Sequence, residues 1–97
     1  MIDDLIFEWD ENKNQANIKK HGISFEEARS VFYDNNSVLI KDINHSYNEE
    51  RFMIIGFSRN KKLLTVCHCE RQKGEVTRII SARQVNNIEK IIYEGGS

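Results

Sequence analysis

The sequence predicts an α+β fold: an antiparallel β-sheet of about four to five strands, with two N-terminal helices and one C-terminal helix packed against it. Three observations carry this expectation. Four β-rich segments, 37–42, 51–58, 63–70 and 75–83, are broken only by short polar turns, and connections that short join antiparallel neighbours. Ahead of them, Ser24-Phe25-Glu26-Glu27 has the Ser-x-x-Glu spacing of a capping box, a helix start that satisfies the first free backbone N–H groups. Behind them, Val85, Ile88, Ile91 and Ile92 recur at helical spacing, predicting a terminal helix over 84–94.

Taken in order, Leu5-Ile6-Phe7-Glu8-Trp9 is rich in β-favouring types and reads as a short opening strand. Asp10 caps the helix that follows, with Glu11 in its first turn and Ala16, Ile18 and His21 within it. Lys19 and Lys20 lie near its end, where positive charge suits the helix dipole, and Gly22 supplies a left-handed stop. Beyond the capping box, with Ile23 and Ala28 as its hydrophobic staple, Phe25, Ala28, Val31 and Phe32 keep helical spacing as far as Tyr33. Asp34-Asn35-Asn36 then turns the chain. In segment 51–58, Phe52 and Ile54 oppose Met53, Ile55 and Phe57, so this strand is apolar on both faces and belongs inside the sheet.

A chain of 97 residues matches one domain spanning 1–97 and buries enough surface for one core. Apolar residues make up 39% and charged residues 30%, an ordinary globular balance rather than that of a disordered chain. No apolar run reaches the length of a membrane span, and Met1-Ile2-Asp3-Asp4 lacks the layout of a signal peptide. With only two cysteines, the expectation is a cytoplasmic protein without a membrane partner. The net charge of -1 conceals a division: residues 1–50 hold 5 Lys/Arg against 11 Asp/Glu, and residues 51–97 hold 9 against 4. Near-neutrality therefore does not exclude RNA. The division predicts two differently charged faces, with interleaved charge runs as the bland alternative.

Several residues have the chemistry of a site. His21 beside Lys20 joins a group suited to proton transfer to one suited to phosphate, although both also fit a solvated helix end. Glu49-Glu50-Arg51 sets carboxylates beside a guanidinium, the pattern of a base with a charge stabiliser and equally of a surface ion pair. In Arg78-Ile79-Ile80-Ser81-Ala82-Arg83, simple alternation puts Thr77, Ser81 and Arg83 on one face and Val76, Ile80 and Ala82 on the other. Arg83 then presents its planar fork at the sheet rim, whereas Arg78 falls on the apolar side unless it is paired, at an edge or shifted by a bulge. Cys67-His68-Cys69 does not read as a metal site, because alternation sends the thiols one way and the imidazole the other. His68 reads as a core or rim histidine, and His45 stands isolated in a polar turn. No nucleotide loop, zinc pattern or Ser-His-Asp arrangement is present, so neither metal nor cofactor is expected.

Longer motifs go further. Phe7-Glu8-Trp9-Asp10 with Lys13 and Asn17, followed by Lys20-His21-Gly22-Ile23-Ser24-Phe25-Glu26-Glu27-Ala28, resembles the opening of the BrnT family of toxins. Val31-Phe32 with Asp34, then Asp42 and His45, Glu49-Glu50-Arg51, Ile55-Gly56, Ser58 and the segment from Arg78 to Arg83 continue that pattern along nearly the whole chain. Asn86-Asn87 departs from it, standing where the family is more basic. The resemblance implies a RelE-like fold and the toxin half of a type II toxin–antitoxin system, an endoribonuclease that cleaves RNA and arrests translation and growth. It also implies a BrnA-type ribbon-helix-helix antitoxin, a toxin–antitoxin hetero-oligomer, and operator DNA contacted only through the antitoxin.

Metal-independent RNA cleavage needs a base for the 2′-hydroxyl, cations for the crowded phosphate and an acid for the leaving oxygen. On that basis Arg51 and Arg83 are expected to stabilise phosphate, with His21 as acid/base and Glu50 in reserve. Lys20 and Arg78 are expected to bind substrate. The alternative class is a non-catalytic RNA- or protein-binding module of toxin ancestry.

Overall fold

A computed structural model describes residues 5–43 and 49–95; His45 and its turn lie outside the described residues. The chain runs β1 (Ile6–Glu8), α1 (Glu11–His21), α2 (Phe25–Ser30), a 3-10 turn (Val31–Tyr33), β2 (Val38–Asp42), β3 (Arg51–Phe57), β4 (Leu63–Arg71), β5 (Val76–Gln84) and α3 (Asn87–Tyr93). The α+β class and all five expected strands are present. The five strands form one sheet in the order β1-β5-β4-β3-β2. It is mixed rather than wholly antiparallel, since β1 returns beside β5 in parallel after the long connection through helices and meander. β3 lies inside the sheet as its two apolar faces require, and β4 occupies the middle.

One face of the sheet holds the core. Ile54, Leu64, Val66, Ile79 and Ala82 meet Ile23, Phe25, Ala28 and Val31 from the helical layer, with Phe7, Trp9 and Phe32 packed around them. His68, 4% exposed, points to this face between Phe32 and Phe52, at centroid distances of 4.8 and 6.0 Å. Burial depresses its imidazole pKa, only partly offset by the Val66 carbonyl. It is the core histidine that the alternation predicts.

α1 is positioned by amides instead of an apolar stripe. Its buried residues are Asn14 and Asn17, whereas Ala16 and Ile18 lie on its exposed side. β1 pairs only with Val76–Arg78, so β5 has an open edge further along. Asn17 closes it: its amide donates to the Ala82 and Ile23 carbonyls at 2.8 and 2.9 Å and its oxygen accepts from the Ala82 N–H at 3.1 Å. Asn14 accepts from the Phe25 N–H at 2.8 Å and so sets the start of α2.

α2 forms half of the expected capping box. Ser24 accepts from the Glu27 N–H, but the buried Glu27 carboxylate turns to the Ser58 hydroxyl at 2.7 Å. The helix tightens to a 3-10 turn after Ser30, whose hydroxyl donates to the Glu27 carbonyl and accepts from the Arg59 N–H. Gly56 lets this turn lie close on β3, because a β-carbon there would meet Asp34, Val31 and Ser37 at 3.1–3.2 Å.

The terminal helix is shorter than its spacing suggests. β5 continues to Gln84, and α3 begins after Asn86 with a complete capping box to Glu89. Ile88 and Ile91 are 70% and 52% exposed, and the buried residue of this helix is Glu89. The expected apolar face therefore gives way to a buried carboxylate.

Candidate functional site

The sheet face opposite the core carries the site, and its side chains follow from the strand register. Asp42 faces Arg51, Arg51 faces Cys69, Cys69 faces Arg78, and Arg78 faces Glu8, forming one charged row across all five strands. The next row on this face is Ile40, Met53, Cys67 and Ser81, and the one beyond it is Val38, Ile55, Thr65 and Arg83.

A bulge puts Arg78 and Arg83 on the same face. Cys67 pairs with Ser81 but His68 pairs with Ile79, leaving Ile80 as an extra residue on β5. That single insertion reverses the alternation. Arg78 therefore shares a face with Ser81 and Arg83, and Thr77 goes to the helical side, contrary to simple period-2 counting. Arg78 is held at 2.9 Å by Glu8 of β1, which satisfies the cation locally.

Arg51 and Arg83 sit two rows apart, roughly 13 Å of strand, yet both reach the same open cavity. It has a volume of about 250 Å³ and is lined by Asp42, Arg51, Met53, Thr65, Cys67, Ile80, Ser81 and Arg83. The row of Met53, Cys67 and Ser81 lies between the charged groups. Cys67 is kept protonated by burial first and then by the Asp42 charge, so it adds a neutral thiol rather than a nucleophilic thiolate.

Arg83 is the most closely defined group. Its two terminal nitrogens donate to the two Glu89 oxygens, both at 2.8 Å, and Nη1 also reaches the Gln84 carbonyl. Glu89 Oε1 further accepts from the Thr65 hydroxyl and the Asn86 N–H. Burial would raise the Glu89 carboxyl, but Arg83, Asn86 and Thr65 outweigh it and hold it at about 2. Sequence spacing places Glu89 only within a terminal helix and gives no sign of its capping box or of its fork to Arg83.

The other expected site residues lie elsewhere. Lys20 and His21 are exposed at the end of α1 and do not line the cavity. Glu50 has the opposite strand parity to Arg51, pairs with Lys41 at 2.8 Å, and lines a different depression with Phe52, Glu70, Lys73 and Gly74. The structure thus joins Arg51 to Arg83 and joins neither to His21 or Glu50. Asp42, quoted in the sequence only as part of a longer pattern, is the carboxylate that lines the cavity with them. No local signal in the sequence marks it, because its pairing with Arg51 across β2 and β3 exists only in the fold. Among the described residues no three His, Cys, Asp or Glu side chains gather as metal ligands would, and Cys67 and Cys69 face away from His68. No helix among the described residues is long and apolar enough to cross a membrane.

The family model described as "Ribonuclease toxin, BrnT, of type II toxin-antitoxin system" matches residues 9–89. The crystal structure of the Brucella abortus ribonuclease toxin BrnT has a similar fold, with a TM-score of 0.64. The two sequences are 24% identical, and the match covers 86% of this chain and 99% of that one. No curated protein matches the chain.

Proposed function

Because the chain belongs to the BrnT family of ribonuclease toxins of type II toxin–antitoxin systems, we propose that it is an endoribonuclease whose RNA site is the open cavity between Arg51 and Arg83. The single observation that carries this reading is the cavity itself, where two guanidinium groups and one carboxylate line the same space. Two arginines approaching a phosphate from opposite sides suit the charge that builds on its oxygens during cleavage. Asp42 is assigned to take the 2′-hydroxyl proton as the 2′-oxygen attacks phosphorus. The bond to the 5′-oxygen then breaks, and water entering the open cavity protonates the leaving oxygen.

No protein group is assigned to hold a metal in this reaction. His21 and Glu50, the expected proton-transfer groups, serve as comparisons, with Lys20 and Arg78 as contacts for flanking phosphates. The same proposal includes a RelE-like kinship for the fold, a cytoplasmic location, and one domain over the chain. The partner is proposed to be a BrnA-type ribbon-helix-helix antitoxin, which forms a hetero-oligomer with the toxin and alone contacts operator DNA.

The test is cleavage of a defined RNA by antitoxin-free protein. Arg51→Ala and Arg83→Ala are each expected to lower kcat/KM by about 100-fold or more, the scale of losing one charge-stabilising donor. Asp42→Asn should fall comparably, while Glu50→Gln remains within about threefold of the parent. Full activity in both arginine variants would exclude this cavity. Absence of cleavage by any preparation would favour a non-catalytic binding module.

A further inference from the structure

α3 reaches the proposed site through one side chain, Glu89. This residue is 6% exposed and meets the end of the Arg83 guanidinium with both oxygens at 2.8 Å. Of the five Arg83 N–H donors, Nη1 directs its hydrogens to Glu89 and the Gln84 carbonyl, and Nη2 directs one to Glu89. Two remain, on Nε and on the outer side of Nη2. They lie parallel on the side of the guanidinium, the second of its two bidentate faces, with the spacing that two oxygens of one phosphate accept. The side chain is 39% exposed and lines the cavity, so this second face is available to a ligand there.

We propose that Glu89 is a positioning residue for RNA cleavage: it fixes the end of the Arg83 guanidinium so that the Nε/Nη2 side presents its paired donors to the substrate phosphate. Glu89 is itself fixed from three directions, by Arg83, by the Thr65 hydroxyl on β4 and by the Asn86 N–H at the start of α3. The capping box of α3 therefore also orients a cation of the site, and docking of this helix becomes a condition for a competent cavity. This inference rests on the reading of the cavity as the RNA site.

Glu89→Gln separates the two roles of the side chain. The amide oxygen retains the bonds from Thr65, Asn86 and Nη1, but the amide nitrogen opposes Nη2, donor against donor, and the fork is lost. With an RNA oligonucleotide of mixed sequence as the probe, Glu89→Gln is expected to lower kcat by about tenfold, with KM within about twofold. A double-mutant cycle supplies the readout that a purely structural role would not move. In an Arg83→Lys background, where no fork exists to be oriented, Glu89→Gln should change kcat by less than about twofold. An equal loss in both backgrounds, or unchanged kcat in Glu89→Gln, overturns the inference.

A second measurement does not depend on the variant folding. In the unmodified protein the side-chain NMR signals of Arg83 should show hindered rotation about the Nε–Cζ bond, and free rotation contradicts a fixed fork. Cleavage by the unmodified protein that is impaired in Arg83→Lys but normal in Glu89→Gln overturns the positioning role alone. Failure of the unmodified protein to cleave RNA overturns the functional reading beneath it.

Discussion

Glu89 and His68 make opposite uses of burial. The Glu89 carboxyl is charged and held at about 2, well below its ordinary 4.5, once Arg83, Asn86 and Thr65 outweigh the burial penalty. For His68 the Val66 carbonyl offsets burial only in part, so burial prevails and favours the neutral ring. Both folded-state values are lower than the unfolded ones, so the unfolded chain binds more protons and each contribution is lost as pH falls. For His68 the loss begins below about 6.5; for Glu89 it runs from about 4.5 towards 2. Thermal melts are accordingly expected to show Tm falling in two stages on acidification, with His68→Phe removing the upper stage and Glu89→Gln reducing the lower, to which Asp34 also contributes. Because Arg83 is partly exposed to solvent, the Glu89 stage should cost on the order of 2 kcal/mol rather than the full equivalent of its shift. Asp34 behaves like Glu89. Burial would raise its carboxyl, but bonds from the Phe57 N–H, Tyr93 hydroxyl and Asn36 N–H hold it below the usual range, while Tyr93 is pushed up to about 12 by burial and by that carboxylate.

At the level of elements, two contacts place the helices and each can be broken singly. Asn17→Ala leaves the Ala82 N–H and the Ile23 and Ala82 carbonyls without their amide partner, an expected loss of about 2–4 kcal/mol measured by denaturant unfolding. Asn17→Asp should also fail, since a carboxylate cannot donate to either carbonyl. Gly56→Ala drives a methyl against Asp34, Val31 and Ser37 and should cost about 1–3 kcal/mol with the sheet intact. These elements also show what a single sequence conveys. The strands and the Ser24 start are legible because alternation, turn residues and capping chemistry are local signals. The bulge at Ile80 is not, because it arises from how β5 pairs with β4, and it decides which face Arg78 occupies. α3 misleads for a related reason. Its isoleucines keep helical spacing, but the Arg83 fork turns Glu89 inward and leaves Ile88 and Ile91 exposed. Within the candidate site, Arg51 and Arg83 could be named from the sequence. Asp42 and Glu89 depend on partners 9 and 6 residues away that only the fold identifies.

Across the whole molecule, the acidic and basic halves do not segregate onto separate faces. Glu8 pairs with Arg78, and Glu49 lies by Arg51 and Arg71, so acid from the first half meets base from the second at both ends of the charged row. The local concentration of cations, rather than net charge, is what the proposed RNA site offers. RNA binding should therefore depend only moderately on salt. With Arg51 and Arg83 on the central phosphate and Lys20 and Arg78 on flanking ones, the slope of log K against log salt for a single strand is expected to be about −2.8, and Arg51→Ala should flatten it to about −2.1. Affinity measured with a 2′-O-methylated oligonucleotide, which lacks the nucleophile, provides this value without cleavage. A slope several times steeper would mean a broad basic surface instead of a compact site.

The central claim is that Arg51 and Arg83 act together on one phosphate in the open cavity. The most direct measurement is single-turnover cleavage of a defined RNA, with excess chelator, by the unmodified protein, Arg51→Ala, Arg83→Ala and the double variant. The account predicts cleavage by the unmodified protein and a loss of about 100-fold or more in each single variant. It further predicts that the double variant is much less impaired than the product of the two single losses, as expected of groups acting as a unit. Independent, multiplying losses, or activity that survives in both single variants, would contradict it.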